Sequence, residues 1–118
     1  MIAMHLTLDA YGADKEKLSD VGLVTDVLTR MPDDVGMTKI SEPMVVNYKA
    51  GKDIDSGISG VILIAESHIS IHTFPARGYF SFDLFSCREF DAAKIVQFIK
   101  GRFGAGRVVE NIMRRTIE

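Results

Sequence analysis

Chemically versatile residues are concentrated in one stretch of this 118-residue chain, residues 66–75, which reads Glu-Ser-His-Ile-Ser-Ile-His-Thr-Phe-Pro. An acid, two hydroxyls and two of the chain's three histidines lie between Glu66 and His72. The stretch directly follows the apolar run Val61–Ala65, which is typical of a buried strand. A core strand that ends in such a cluster indicates a site for chemistry as well as for packing.

A metal site is the first chemistry that His68 and His72 suggest. Residues four apart on a regular strand share a face but lie roughly 13 Å from each other. A zinc ion needs its ligands at about 2 Å, so these two histidines could share an ion only across a tight turn. We therefore predict no metal site and expect ordinary hydrogen bonds for each histidine.

Two other catalytic motifs are missing from the chain. Ser67 is not flanked by the glycines of a Gly-x-Ser-x-Gly nucleophile turn. The glycines at 51, 57 and 60 lack the Lys-Ser/Thr continuation of a phosphate-binding loop. A serine hydrolase and a phosphate-loop protein are therefore not predicted.

Ser67 also fits a reaction in which the chain cuts itself. A serine at a turn can attack the carbonyl before it, which turns the amide into an ester. Elimination from that ester leaves a dehydroalanine, and this hydrolyses to a pyruvoyl group. Ser67, His72 as a base and a break after Ala65 supply the parts. An ordinary serine at a strand end has the same pattern, so the residues alone leave both interpretations open.

Length and composition limit the other classes of function. The length predicts a single domain, 1–118, and a charged fraction of 25% with a net charge of -2 gives no basic excess for nucleic acid. The single cysteine, Cys87, excludes a disulfide within the chain. No signal peptide and no apolar run of roughly 20 residues is found. We expect a cytoplasmic protein without nucleic-acid or membrane partners.

The elements that position the stretch are predicted from hydrophobic periodicity. One helix is expected from its cap at Asp14 to Pro32, and another from its cap at Asp91 through Phe103, ended by the stretch from Gly101 to Gly106. Residues 50–60 read as a loop. Strands are expected at 2–10, at 38–48 with an interruption at Pro43, and at 61–65, 69–74, 79–87 and 108–115.

This order of elements predicts an α/β (α+β) fold. Two helices against five or six strands favour a two-layer sandwich, with both helices on one face of a mostly antiparallel sheet. The other face then needs cover, and a second copy of the chain is one way to supply it.

Residues 59–75, Ser-Gly-Val-Ile-Leu-Ile-Ala-Glu-Ser-His-Ile-Ser-Ile-His-Thr-Phe-Pro, are followed by Gly78-Tyr79 and by Asp-Leu-Phe-Ser-Cys at 83–87. This pattern closely resembles the short prokaryotic S-adenosylmethionine decarboxylases. His5-Leu6 and the Asp-Ala-Tyr-Gly of 9–12 are similar to the first strand of that family. The resemblance covers most of the chain, is densest over 59–87, and is more specific for the family than for the substrate.

The resemblance implies self-cleavage between Glu66 and Ser67, into a β chain 1–66 and an α chain 67–118 that begins with a pyruvoyl group made from Ser67. It implies that Ser59 and His72 assist processing, with His72 moving protons, and that Cys87 protonates the product carbon. A Schiff base between substrate and pyruvoyl group would withdraw the electrons that the carboxylate leaves behind. Family members supply polyamine (spermidine) synthesis, are two-layer sandwiches, and associate as homodimers of the cleaved pair.

Two departures from the family pattern concern the substrate. Many relatives have a Glu that binds the ribose where this chain has Ala76, and a Phe that stacks on adenine where ungapped counting places Asp53. Phe74 or Tyr48 could stack instead, so Phe74 and Asp53 are the expected substrate contacts. S-adenosylmethionine is the first expectation, but an acid and a lost ribose ligand also suit a cationic amino acid, L-arginine or L-ornithine.

A hypothesis from another class is a relative that no longer cleaves and serves as a non-catalytic, regulatory subunit. Loss of a processing or catalytic residue would favour it. Ser59, Ser67, His72 and Cys87 are all present, and their presence argues against that hypothesis.

Overall fold

The computed structural model describes residues 1–118 and contains six strands and three helices. The strands are β1 (Ile2–Tyr11), β2 (Met44–Tyr48), β3 (Gly57–Ile64), β4 (Ser67–Phe74), β5 (Tyr79–Ser86) and β6 (Arg107–Thr116). The helices are α1 (Lys15–Leu18), α2 (Val21–Asp34) and α3 (Ala92–Phe103), and two short 3-10 turns lie at Asp53–Asp55 and Pro75–Arg77.

The six strands form one sheet in the order β2-β3-β4-β5-β1-β6. Every neighbouring pair is antiparallel, so the predicted α/β fold with an antiparallel sheet is confirmed. The strands β3, β4 and β5 form two successive hairpins, while β1 inserts between β5 and β6. A break between the third and fourth strands is present as predicted, but it is limited to Ala65 and Glu66, because β4 begins at Ser67, two residues earlier than expected.

All three helices cover the same face of the sheet, as predicted. A Cβ atom on Gly60 of β3 would meet the side chain of Leu28 in α2. The ring of Phe80 in β5 lies 4.9 Å from that of Phe103 in α3, and Thr73 of β4 donates to the carbonyl of Leu18 in α1. No helix is both long and apolar enough to cross a membrane.

The core lies between this face and the helices, because alternate residues of each central strand point toward the helices. In β5, for example, Phe80, Phe82 and Leu84 are fully buried, while the residues between them are half-buried. Those intermediate residues lie on the opposite face, which we call the open face because no helix covers it.

The prediction of a single helix between Asp14 and Pro32 is wrong. Asp14 caps only the one-turn α1, and Asp20 caps a separate helix by accepting from the backbone N–H of Leu23. That helix continues past Pro32 to Asp34. A proline in the last turn removes one N–H from the helix and leaves few later bonds to disrupt, which allows the extra residues.

The predicted loop at 50–60 is wrong at its end, because β3 begins at Gly57. A Cβ at this position would lie 1.7 Å from the carbonyl oxygen of Thr73, so the glycine permits β3 and β4 to pair closely here. The strand predicted on both sides of Pro43 is shorter than expected. Before Pro43 only Lys39 makes a bridge, to Ile64.

Candidate active site

Ser59 and His72 face each other across the first hairpin. The two-residue turn at Ala65 and Glu66 joins β3 to β4 and sets a register in which Ser59 pairs with His72. Both side chains lie on the open face, and Ser59 Oγ is 2.8 Å from His72 Nδ1. This distance is that of a hydrogen bond, whose direction depends on which ring nitrogen carries the proton.

Glu66, Ser67 and Cys87 meet where the second hairpin ends. The backbone N–H of Cys87 donates to Ser67 Oγ at 3.0 Å. The thiol of Cys87 donates to the carbonyl oxygen of Glu66, with 3.5 Å between sulfur and oxygen. The hydroxyl, the preceding carbonyl and a proton donor therefore surround one peptide bond, that between Glu66 and Ser67.

The Ser59–His72 pair and the cluster of Glu66, Ser67 and Cys87 are well separated within one chain. Ser67 and His72 are five residues apart on β4, and at about 3.4 Å per residue their Cα atoms lie about 17 Å apart. An odd separation also directs their side chains to opposite faces of a regular strand. The fold thus brings Ser59 to His72 and Cys87 to Ser67, and it does not bring His72 to Ser67.

A shallow depression of about 390 Å³ surrounds the Ser59–His72 pair on the open face. Its other walls include His68 and Ser70 of β4 and the exposed side chains Met44 and Val46 of β2. The depression is open to solvent, so a partner or a ligand can reach His72 from above the sheet.

The two positions that depart from the family pattern, Asp53 and Ala76, line one cavity of about 610 Å³. Tyr48, Lys15 and Lys49 line the same cavity, at the end of the sheet near α1. Although they are 23 positions apart in sequence, Asp53 and Ala76 thus belong to one surface. Tyr48 is the only aromatic residue of this lining, and Lys15 and Lys49 add two positive charges to the cavity that holds the acid of Asp53.

Phe74, the other expected substrate contact, lies in a different cavity. Its ring centroid is 5.6 Å from that of Tyr79, which is 5.4 Å from Tyr11. These rings and Arg77 line a surface cavity of about 500 Å³ on the open face. The structure therefore separates the two expected substrate contacts, Phe74 and Asp53, into neighbouring depressions.

A hydrogen bond that the sequence analysis missed lies beside this aromatic surface. Tyr79 donates to Asp9 Oδ1 at 2.5 Å. Burial of the hydroxyl, together with this bond to a carboxylate, raises the pKa of Tyr79 to about 12. The strand alternation of β1 and β5 places both residues on one face, but the pairing of these distant strands could not be read from the sequence.

The contact between Cys87 and Glu66 was also missed, although a signal for it exists. A hairpin turn at residues 75–78 pairs Phe74 with Tyr79. Counting outward from that turn brings Glu66 opposite Cys87, two steps beyond the last pair of the ladder, His68 and Phe85. The turn residues Pro75 and Gly78 were visible in the sequence.

Comparison with known proteins shows the family to which the chain belongs. Residues 4–116 match the family model for S-adenosylmethionine decarboxylase. The S-adenosylmethionine decarboxylase proenzyme of Pyrococcus furiosus is 30% identical over 118 residues, covering 99% of this chain and 81% of that protein. The proenzyme of Thermotoga petrophila is 34% identical over 108 residues, covering 91% of this chain and 78% of that protein.

A solved structure gives the same result for the fold. The crystal structure of the adenosylmethionine decarboxylase from Aquifex aeolicus superimposes with a TM-score of 0.81 at 28% identity, covering 99% of this chain and 92% of that one. The family match spans nearly the whole chain, and the predicted resemblance is confirmed. The chain therefore belongs to the S-adenosylmethionine decarboxylase family and is a decarboxylase.

Proposed function

We propose that this chain cuts itself between Glu66 and Ser67 and that the pyruvoyl group formed at position 67 is its cofactor. The observation that carries the proposal is the convergence at one peptide bond. The backbone N–H of Cys87 donates to Ser67 Oγ at 3.0 Å, and the thiol of Cys87 donates to the Glu66 carbonyl oxygen at 3.5 Å. An ordinary serine at a strand end would need no donor on the preceding carbonyl.

The cleavage follows from these contacts. Ser67 Oγ attacks the carbonyl carbon of Glu66, its proton passes to a base, and the C–N bond breaks to leave an ester and a free amine. The thiol of Cys87 stabilises the negative charge that develops on the carbonyl oxygen. Loss of the Cα proton of residue 67 then expels the Glu66 carboxylate and leaves a dehydroalanine. Water hydrolyses this group, its nitrogen leaves as ammonia, and a pyruvoyl group remains.

The same residues suit the decarboxylation that follows. The pyruvoyl group supplies an electron sink that accepts the electrons left by the departing carboxylate. Cys87 remains beside position 67 after cleavage, because β5 holds its backbone. A thiol is a proton donor that ionises readily, so Cys87 is placed to return a proton to the product carbon.

We infer that a second copy of the chain completes the site. His72 lies about 17 Å from Ser67 of its own chain, too far to move a proton there. The open face exposes apolar side chains around the Ser59–His72 pair, including Met44 at 66% and Val46 at 51%. A homodimer that covers this face would bury them and bring the pair of one copy toward Ser67 of the other.

S-adenosylmethionine is the proposed substrate, and its decarboxylation would supply the aminopropyl donor of polyamine synthesis in the cytoplasm. The names of the relatives support this choice. L-arginine or L-ornithine is the second candidate, and one observation favours it. Asp53 lies in the cavity that Ala76 also lines, so alanine stands where many relatives have a ribose-binding Glu, and a carboxylate that can bind a cation shares that cavity with Lys15 and Lys49.

Release of carbon dioxide from the three candidate substrates tests the proposal. We expect release from S-adenosylmethionine and none from the Ser67→Ala variant. Ala76→Glu, which restores an acceptor for ribose hydroxyls, should lower the KM for S-adenosylmethionine. Preferential release from arginine or ornithine would transfer the proposal to a cationic amino acid. Inactivity toward all three would instead support an uncleaved, regulatory subunit.

A further inference from the structure

The outer edge of β6 is an unprotected edge strand. β6 runs for ten residues at one end of the sheet and pairs only with β1. It contains no proline, and its side chains Val109, Ile112 and Met113 are 41%, 44% and 59% exposed. Natural sheets rarely leave so long and regular an edge free, because its unpaired backbone groups bind other strands.

The backbone hydrogen bonds define which residues of β6 face outward. Ile117 N–H donates to the carbonyl of Met1 at 2.8 Å, and the amino group of Met1 lies 3.4 Å from the carbonyl of Ile117. Met1 and Ile117 are thus a hydrogen-bonded pair of the β1–β6 ladder. Such pairs alternate along an antiparallel ladder, so the backbone groups of Ile112 point away from β1, toward solvent.

The charges along this edge favour one way to pair it with a copy of itself, because only one register opposes Glu110 to Arg114. When two antiparallel β6 strands are centred on Ile112, Glu110 of each lies opposite Arg114 of the other. Centring on Glu110 or on Arg114 would instead oppose two like charges. Opposite charges that face each other across strands stabilise the pair, and like charges destabilise it.

We propose that β6 pairs with β6 of a second copy in the register centred on Ile112, which would join two six-stranded sheets into one. Two ion pairs then join the copies, each between Glu110 of one copy and Arg114 of the other. The two Ile112 side chains pack together at the centre. Within its own chain Arg114 forms an ion pair with the exposed Glu89, at 3.7 Å. Exposed pairs of this kind stabilise little and leave Arg114 free to change partner.

This contact is distinct from the dimer proposed over the open face. The order of the sheet places β6 at the edge opposite β2 and β3, so edge pairing leaves the depression around Ser59 and His72 uncovered. If both contacts form, the assembly is at least a tetramer. Failure of the edge contact would leave the proposed chemistry at Ser67 unaffected.

Crosslinking tests the register in the full chain. In a hydrogen-bonded antiparallel pair the Cα atoms lie about 5.5 Å apart, which is within the range of a disulfide. Ile112→Cys should form a covalent pair of chains under mild oxidation, with the disulfide mapped by peptide mass to the two introduced thiols. The matched variant Glu110→Cys should stay unlinked, since its neighbour across the interface is Arg114.

Charge reversal gives a second, independent readout. Glu110→Arg and Arg114→Glu should each weaken association by about tenfold or more in sedimentation equilibrium, because two attractive pairs become repulsive. The double variant should associate like the unmodified chain. Failure of Ile112→Cys to link, linking of Glu110→Cys at an equal rate, or no recovery in the double variant would overturn the proposal.

Discussion

Ser59 Oγ and His72 Nδ1 lie 2.8 Å apart, and the pair lies five residues along β4 from Ser67. These two facts determine how the proposed chemistry must be arranged. His72, the proposed proton carrier, is held by the first hairpin, while the peptide bond proposed to be cut lies at the turn of that hairpin, about 17 Å away. The proposed homodimer would supply this base from another copy of the chain.

Complementation between two variants tests this arrangement. His72→Ala alone should remain largely uncut. When it is co-expressed with Ser67→Ala, the intact His72 of the second chain should restore cleavage of the first, because each dimer then contains one complete site. Differently tagged chains, purified through both tags, allow the cut chain to be identified by mass.

The matched control replaces the helper with the double variant Ser67→Ala/His72→Ala, which should restore nothing. Cleavage of His72→Ala at the normal rate without a helper would show that His72 has no part in processing. An uncut chain in the co-purified pair would show that His72 does not act between copies.

Substitution of Cys87 tests the contact with the scissile carbonyl. Cys87→Ala removes the donor to the Glu66 oxygen, and we expect self-cleavage to slow by about tenfold or more. Cys87→Ser keeps a hydroxyl donor and should cleave faster than the alanine variant. The time course of the intact mass after synthesis measures both, and equal rates for the two variants would contradict a donor role.

Much of this site could have been deduced from the sequence by counting from the turns. A two-residue turn at Ala65 and Glu66 requires Ser59 to pair with His72, and the turn before Tyr79 requires Glu66 to lie opposite Cys87. Hairpins are local, so their register depends on nearby residues. The 17 Å separation followed from the same strand geometry.

Other features depend on distant parts of the chain and could not be predicted. Asp53 and Ala76 share a cavity only because two short turns from different hairpins meet at the end of the sheet. The division into α1 and α2 depends on a competition between Asp14 and Asp20, which are both good caps. The start of β3 at Gly57 depends on its close contact with Thr73.

Thr73 is the buried polar residue that joins the sheet to α1. It is 2% exposed, its hydroxyl donates to the carbonyl of Leu18 at 2.8 Å, and it accepts from the N–H of Ile58 at 3.0 Å. Thr73→Val keeps the shape but leaves both backbone groups unsatisfied. We expect a loss of about 1–3 kcal/mol in the free energy of unfolding, measured with denaturant.

The control for this variant is Thr25→Val, at a half-buried position of α2 where the hydroxyl donates to Val21 in its own helix. Its unfolding free energy should change by less than about 0.5 kcal/mol. A loss for Thr73→Val no larger than for the control would show that the two buried bonds contribute nothing.

The raised pKa of Tyr79 predicts a dependence of stability on alkaline pH. The folded chain holds this proton with a pKa of about 12, against an ordinary value of 10.0. The stabilisation is therefore fully present below pH 10 and is lost as the pH rises toward 12. In a titration of near-ultraviolet absorbance, Tyr79→Phe should remove the component that ionises near pH 12.

Asp9→Asn provides the comparison, because it keeps Tyr79 but removes the carboxylate that accepts the hydrogen bond from its hydroxyl. The late component should persist and move to lower pH. If the component lost in Tyr79→Phe is one that ionises at or below pH 10, the bond to Asp9 does not raise the pKa of this tyrosine.

The mass of the purified, denatured chain tests self-cleavage most directly. We predict two fragments, residues 1–66 and residues 67–118, and the second should carry the mass of a pyruvoyl group in place of its N-terminal serine. Ser67→Ala should give one intact species of 13.1 kDa. A single intact species of that mass from the unmodified chain, in material that releases carbon dioxide from its substrate, would contradict a cofactor made from Ser67.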